Sequence, residues 1–249
     1  MQKLYSILLL IVLMFSIKPV LATVVIFEGG FGQGAETWEP VLKKLPKEYK
    51  VITYTRPSLT SPDAKPTTVA EDVDYLINLV EANQGEDVIL VGHSYGGLVV
   101  SEVALQNPEL IDGVVLLEPA VRGQRQQFKS IDRERIAADD ALMKQYLPGR
   151  LRAQFTLLMR QLDTLYVDTK ALPRSVPVVL FTSTKRPADP LFFEETDVGK
   201  HQWLALHLAL IASSENAMHI RSTQFGHQPH KDMPGRVVQS IVNLASRNR

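Results

Sequence analysis

No cysteine occurs in the 249 residues. That excludes disulfides, thiolate metal sites, iron–sulfur clusters and a cysteine nucleophile. It also excludes a lipid anchor on an N-terminal cysteine. Neither charge is in excess, since 27 Lys and Arg balance 27 Asp and Glu. A dedicated nucleic-acid binder carries a basic surplus, so no nucleic-acid partner is expected. Charged residues at 22% and hydrophobic ones at 45% argue against a disordered chain. There is no internal repeat and no low-complexity tract. The length suits one large domain with a sizeable core.

The one long apolar run lies at the N-terminus. Met1-Gln2-Lys3 precedes an apolar stretch over 4–17, whose segment 7–15 has no polar residue. Lys18-Pro19 and then Val20-Leu21-Ala22 follow. A charged start, an apolar stretch too short for a comfortable span and small residues at −3 and −1 describe a signal peptide cut after Ala22. The expected mature chain is 23–249, secreted or periplasmic, with no stable membrane anchor. The alternative is an uncleaved N-terminal anchor. Loss of Lys3 and Lys18 leaves 25 basic against 27 acidic side chains, a net of −2.

From residue 24 onward, short β-branched and aromatic runs alternate with helical spacing. Strands are predicted at 24–27, 50–54, 87–91, 112–117, 176–182 and 217–223, and helices at 36–45, 68–82, 94–106, 200–213 and 234–245. In 68–82, Val69, Val73, Leu76, Ile77 and Val80 share one face, with Thr67 or Thr68 as cap. The alternation predicts an α/β fold: a mostly parallel sheet of about six strands, helices on both faces, right-handed crossovers. Residues 119–173 break the pattern. They are rich in Arg, Gln and Asp, amphipathic over 136–146 and 150–166, and show no strand signal. So long an insertion is expected to form a helical cap over one end of the sheet.

Gly92-His93-Ser94-Tyr95-Gly96 fits G-x-S-x-G, and Gly97 follows. The pattern alone is weak, but here it joins the apolar run 88–91 to a helix carrying Leu98, Val99, Val100 and Val103. A serine on such a turn is held in a strained backbone with its hydroxyl presented at the end of the sheet. Glycine at 92 and 96 keeps side chains from colliding across the turn, and the helix N-terminus favours developing negative charge. The bland alternative is an ordinary strand–helix loop with a serine cap. Two further blocks accompany the motif: Gly29-Gly30-Phe31-Gly32 through Thr37-Trp38, and Gly226-His227-Gln228-Pro229-His230-Lys231-Asp232-Met233-Pro234. With these three blocks the sequence resembles the α/β-hydrolase family over about residues 24–247, with the cap region least matched.

The resemblance implies a Ser-His-acid triad, two backbone oxyanion donors and no cofactor. Ser94 takes the place of the nucleophile. His227, between the last strand and the last helix, takes that of the base and keeps the chain order serine, acid, histidine. The donors are the amides of Phe31 and Tyr95, although Gly29 stands where the family usually has histidine in that turn. The acid has two candidates. Most family members supply it after the strand at 176–182, but Arg186 holds the usual position there and Asp189 comes late. Some, including a branch of the haloalkane dehalogenases, supply it after the preceding strand, where Glu118 lies. Glu118 is the favoured choice and Asp189 the alternative. Of the other histidines, His93 is expected to pack, His230 to support its loop, and His201, His207 and His219 to lie packed or at the surface. His227 and His230 have no third ligand nearby, so no metal site is expected.

These features point to a serine hydrolase that cleaves a carboxylic ester or related acyl bond of a small molecule through an acyl-enzyme. A serine nucleophile argues against dehalogenase and epoxide hydrolase chemistry. Other acyl chemistries stay open: amide or peptide, thioester or C–C cleavage, and acyl transfer. So does a small-molecule-binding protein on the same fold without turnover. Oligomeric state is not legible.

Overall fold

A computed structural model describes residues 23–61 and 63–247. The proposed signal segment 1–22 lies outside them. Six strands form one sheet: β1 (Thr23–Glu28), β2 (Lys50–Thr53), β3 (Asp87–His93), β4 (Gly113–Leu117), β5 (Val178–Ser183) and β6 (Ala217–Ser222). Their order is β2-β1-β3-β4-β5-β6, and every pairing is parallel. The four inner strands are apolar runs buried on both faces, as a covered parallel sheet requires.

Strand periodicity divides the core in two. Val24, Ile26, Val88, Leu90, Val114, Leu116, Val178 and Leu180 face one layer. It is built from α2 (Val69–Glu81), α3 (Tyr95–Gln106) and α6 (Asp197–Leu210). Val25, Phe27, Ile89, Val91, Val115, Leu117, Val179 and Phe181 face the other. There the single-turn α1 (Glu39–Leu42) and α8 (Pro234–Ala245) cover them. The Thr68 cap of α2 is realised as a capping box: Thr68 Oγ1 accepts the Glu71 N–H at 3.2 Å, and the Glu71 carboxylate accepts the Thr68 N–H at 2.7 Å.

Between β4 and β5 the chain forms α4 (Gln124–Tyr146), kinked at Asp132, and α5 (Gly149–Thr164). Arg125 binds them together. Its guanidinium donates to Asp140 at 2.7 Å and to Asp163 at 2.9 Å, and Lys129 reaches Asp163 at 2.6 Å. Two buried glutamines then strap α5 to the start of α2. Gln154 exchanges both its amide groups with the Thr67 backbone, and Gln161 Oε1 accepts the Val69 N–H at 3.0 Å.

Three helix expectations shift. The helix expected at 200–213 is α6, Asp197–Leu210, three residues earlier at each end. Residues 36–45 are a 3₁₀ turn over Ala35–Trp38 followed by the four-residue α1, and the inserted helix begins at 124 rather than 136.

Candidate active site

The chain leaves β1 to form β2 on one side and returns to form β3 on the other. That reversal opens a crevice at the carboxyl ends of β1 and β3, where ligands of open α/β sheets bind. Ser94 stands in it, between β3 and α3, at φ 50° and ψ −119°. Such a conformation costs a non-glycine residue on the order of 1–3 kcal/mol and persists only when its surroundings fix it. The Ser94 N–H donates to the Leu117 carbonyl at 3.0 Å, and its carbonyl accepts from Gly97 and Ala120, both at 2.9 Å. The turn needs its glycines. A Cβ at position 96 would lie 2.3 Å from the Glu28 carbonyl oxygen, and one at position 92 would lie 2.7 Å from that of Gly96.

His227 lies in the loop between β6 and the single-turn α7 (Pro229–Asp232), with Nε2 3.0 Å from Ser94 Oγ. Its Nδ1 faces Glu118 Oε2 at 3.5 Å, the outer limit of a hydrogen bond. Glu118 follows β4 at φ 48° and is 1% exposed. The Ser183 N–H donates to Glu118 Oε1 at 2.5 Å, and the Glu118 N–H donates to the Phe181 carbonyl at 3.0 Å. Burial pushes the Glu118 carboxyl up, but its bond to His227 and the charges of His227 and Lys200 outweigh this and hold it below the usual glutamate value. The His227 side chain is 50% exposed; crowding by the cavity walls lowers its pKa, but the Glu118 contact and charge, joined by Glu194, raise it above its ordinary value. Asp189 is exposed and does not line the cavity. Arg186, nearby, pairs with Asp197 at 3.0 Å.

The turn after β1 brings Phe31 to the same cavity as Tyr95 and Ser94. Tyr95 is the first residue of α3, so its N–H has no partner within the helix. Among the described residues neither the Phe31 nor the Tyr95 amide meets a backbone acceptor outside its own element. Gln33 Oε1 accepts the Gly30 N–H at 2.9 Å and lies 2.8 Å from His93 Nδ1. His93 Nε2 donates to the His227 carbonyl at 2.6 Å, so this packed histidine links the turn to the loop of His227. Burial, with His227 and His230 close by, holds the His93 pKa well below the usual range. His230 is fully buried against Trp38, its Nε2 3.1 Å from Thr37 Oγ1.

His207, expected only to lie packed or at the surface, and three residues outside the motifs complete the surroundings. His207 is fully buried on α6, and its Nε2 donates to the Pro119 carbonyl at 2.9 Å, beside Glu118. Its Nδ1 must then accept the Thr182 hydroxyl at 2.7 Å, while Thr182 Oγ1 accepts from His219 Nε2 at 2.8 Å. Lys200 and Glu194 line the cavity near His227. Arg56 is buried under the turn after β1. None of the four lies in a motif, because each acts on a partner distant in sequence.

The cavity above Ser94 encloses about 690 Å³. Its walls are mainly apolar and come from the insertion and α6: Phe128, Ile136, Phe155, Leu158, Met159, Leu162 and Trp203, with Phe31 from the turn. Arg125 also lines it, but its charge is spent on Asp140 and Asp163. Among the described residues no group of three or more His, Cys, Asp or Glu side chains is arranged to hold a metal ion.

Comparison with known proteins agrees with this architecture. The model of the alpha/beta hydrolase family matches residues 25–242. The chain is 27% identical over 224 residues to the uncharacterized protein YqjL of Bacillus subtilis (strain 168), covering 89% of this chain and 81% of that one. It is 36% identical over 83 residues to the lipase LipV of Mycobacterium tuberculosis (strain ATCC 25618 / H37Rv), a match covering 33% of this chain and 31% of that one. Among solved structures, a bacterial membrane phospholipase A superposes with a TM-score of 0.63 at 16% identity, covering 93% of this chain and 81% of that one. At that identity the likeness concerns the fold alone.

Proposed function

The chain belongs to the alpha/beta hydrolase family, and from that premise we propose that it is a serine hydrolase cleaving carboxylic esters of small, lipophilic molecules. The observation that carries the reading is the continuous line Ser94 Oγ–His227 Nε2 at 3.0 Å and His227 Nδ1–Glu118 Oε2 at 3.5 Å, at the floor of a mainly apolar cavity. Apo geometry of this kind tightens when substrate binds.

In this reading Ser94 attacks the ester carbonyl carbon and passes its proton to His227 Nε2. The tetrahedral oxyanion is held by the amides of Phe31 and Tyr95. Collapse expels the alcohol, which takes the proton from His227 and leaves an acyl-Ser94. A water then gives a proton to His227 and attacks the acyl carbon, and the second tetrahedral intermediate breaks its bond to Ser94 Oγ, which takes the proton back from His227 as the acid leaves. Glu118 keeps the His227 proton on Nδ1 and stabilises the imidazolium. No cofactor takes part. The apolar walls of the insertion, where Arg125 is already paired and the charged Lys200 and Glu194 lie apart beside His227, favour an uncharged acyl or alcohol chain. The N-terminal segment 1–22 is proposed to direct the chain out of the cytoplasm and to be removed after Ala22.

A panel of p-nitrophenyl esters from acetate to laurate, with matched thioesters and anilides, tests the reading on residues 23–249. Expected is Ser94-dependent ester hydrolysis whose kcat/KM rises with chain length beyond acetate. Anilide or thioester cleavage in its place would assign a different acyl chemistry. Binding of esters without turnover by folded protein would assign a binding role.

A further inference from the structure

We propose that Arg56 is the positioning residue of the oxyanion site: one buried guanidinium fixes both backbone segments that carry the Phe31 and Tyr95 amides. The inference rests on the reading of those amides as oxyanion donors. Arg56 follows β2 and is 4% exposed. Its Nη1 donates to the Gly29 carbonyl at 2.7 Å and to the Glu28 carboxylate, and its Nη2 donates to the Gly30 carbonyl. Gly29 and Gly30 immediately precede Phe31, so the guanidinium sets where the Phe31 N–H points.

The opposite side of the same group reaches α3. The guanidinium carbon lies 4.9 Å from the centre of the Tyr95 ring, a cation–π contact. The Tyr95 hydroxyl donates to Asp72 Oδ2 at 2.6 Å, and that same oxygen is 3.8 Å from Arg56 Nε. Thr67 Oγ1 donates to Asp72 Oδ1 at 2.8 Å and fixes the carboxylate from its other side. Turn, strand end and helix start therefore share one cation.

Arg56, Glu28 and Asp72 do not line the cavity. They touch no substrate and act only through the turn backbone and the Tyr95 side chain they hold. Arginine is suited to this work: its planar fork meets two carbonyls and a carboxylate at once, whereas an ammonium is a point charge with no such fork. The site also needs a charge-balanced cation. Burial pushes the Glu28 carboxyl up to about 7 against the pull of Arg56. Without the guanidinium, two carbonyls and a carboxylate would be left buried without their donor.

The test compares kcat, KM and the rate of fluorophosphonate capture for wild type, Arg56→Lys and Arg56→Gln. Circular dichroism and thermal melts check the fold. Expected for Arg56→Lys is a fold and KM near wild type, with kcat and phosphonate capture falling together by about 10²–10³-fold, the size of a lost oxyanion donor. A folded Arg56→Lys with wild-type kcat, or with KM raised and kcat unchanged, overturns the proposal. Should Arg56→Lys not fold, Arg56→Gln decides, since it removes the charge and the fork that hold the Gly29 and Gly30 carbonyls and the Tyr95 ring. A fall in kcat at constant KM supports the proposal, and an unchanged kcat overturns it. A wild type that neither hydrolyses esters nor takes the phosphonate defeats the functional reading, and the positioning role with it.

Discussion

A histidine that is to take a proton from serine must itself be neutral, and Glu118 works against that. Its contact with Nδ1 holds the His227 pKa above the ordinary 6.5. The proposed base is therefore charged at low pH and becomes competent as pH rises through that raised value. The expected acid limb of kcat/KM has its midpoint above 6.5, because that profile reports the free enzyme. Glu118→Gln removes the leading upward influence, so the midpoint should move down. Turnover should fall about 10³–10⁴-fold, because the amide no longer fixes the imidazole tautomer. Asp189→Asn, altering an exposed side chain outside the cavity, should leave both unchanged. A pH–rate profile of the three proteins checks this, and the reverse ranking of the two variants would assign the acid to Asp189.

Between elements, His207 joins α6 to three strands: to Pro119 after β4, to Thr182 on β5 and, through Thr182, to His219 on β6. Burial holds its pKa down at about 4. In the unfolded chain it titrates near 6.5, so below that pH the unfolded state binds a proton that the folded state refuses. The stability it contributes is full above pH 6.5 and drains as pH falls toward 4. Wild type should lose about 2 kcal/mol through this residue between pH 7.5 and 5. His207→Gln should not, so the stability gap between the two should narrow by that amount in urea titrations at the two pH values. A gap that stays constant would mean that His207 is not held neutral.

At the same scale the sequence is unevenly legible. The inner strands are readable because 24–27, 88–91 and 113–117 are unbroken apolar runs, which only a doubly covered sheet can bury. The first half of α4 is not. Residues 124–135 carry a single aromatic, Phe128, among Arg, Gln, Lys and Asp, and the break at Asp132 interrupts their period. What buries that polar face is the Arg125 network to Asp140 and Asp163, distant in sequence. Ser94 and His227 stand in local motifs that carry their geometry. Glu118 is marked only as a carboxylate at a strand end, and Arg56 by nothing, since its meaning lies in carbonyls 26 and 27 residues away.

Across the whole molecule, every proposed reacting group sits at a carboxyl end of the sheet or on the loop beside it: Phe31 after β1, Ser94 after β3, Glu118 after β4 and His227 after β6. The sheet supplies rigidity, while the insertion supplies most of the apolar wall, anchored on α2 by Gln154 and Gln161. Among the described residues no helix is long and apolar enough to cross a membrane. This assembly is proposed to activate Ser94. The most direct test is fluorophosphonate labelling of folded residues 23–249, with the modified peptide mapped by mass spectrometry and Ser94→Ala and Glu118→Gln run beside it. Expected is one adduct, on Ser94, formed quickly in wild type, slowly in Glu118→Gln and not at all in Ser94→Ala. Labelling that survives Ser94→Ala, or folded wild-type protein that takes no label, would contradict it.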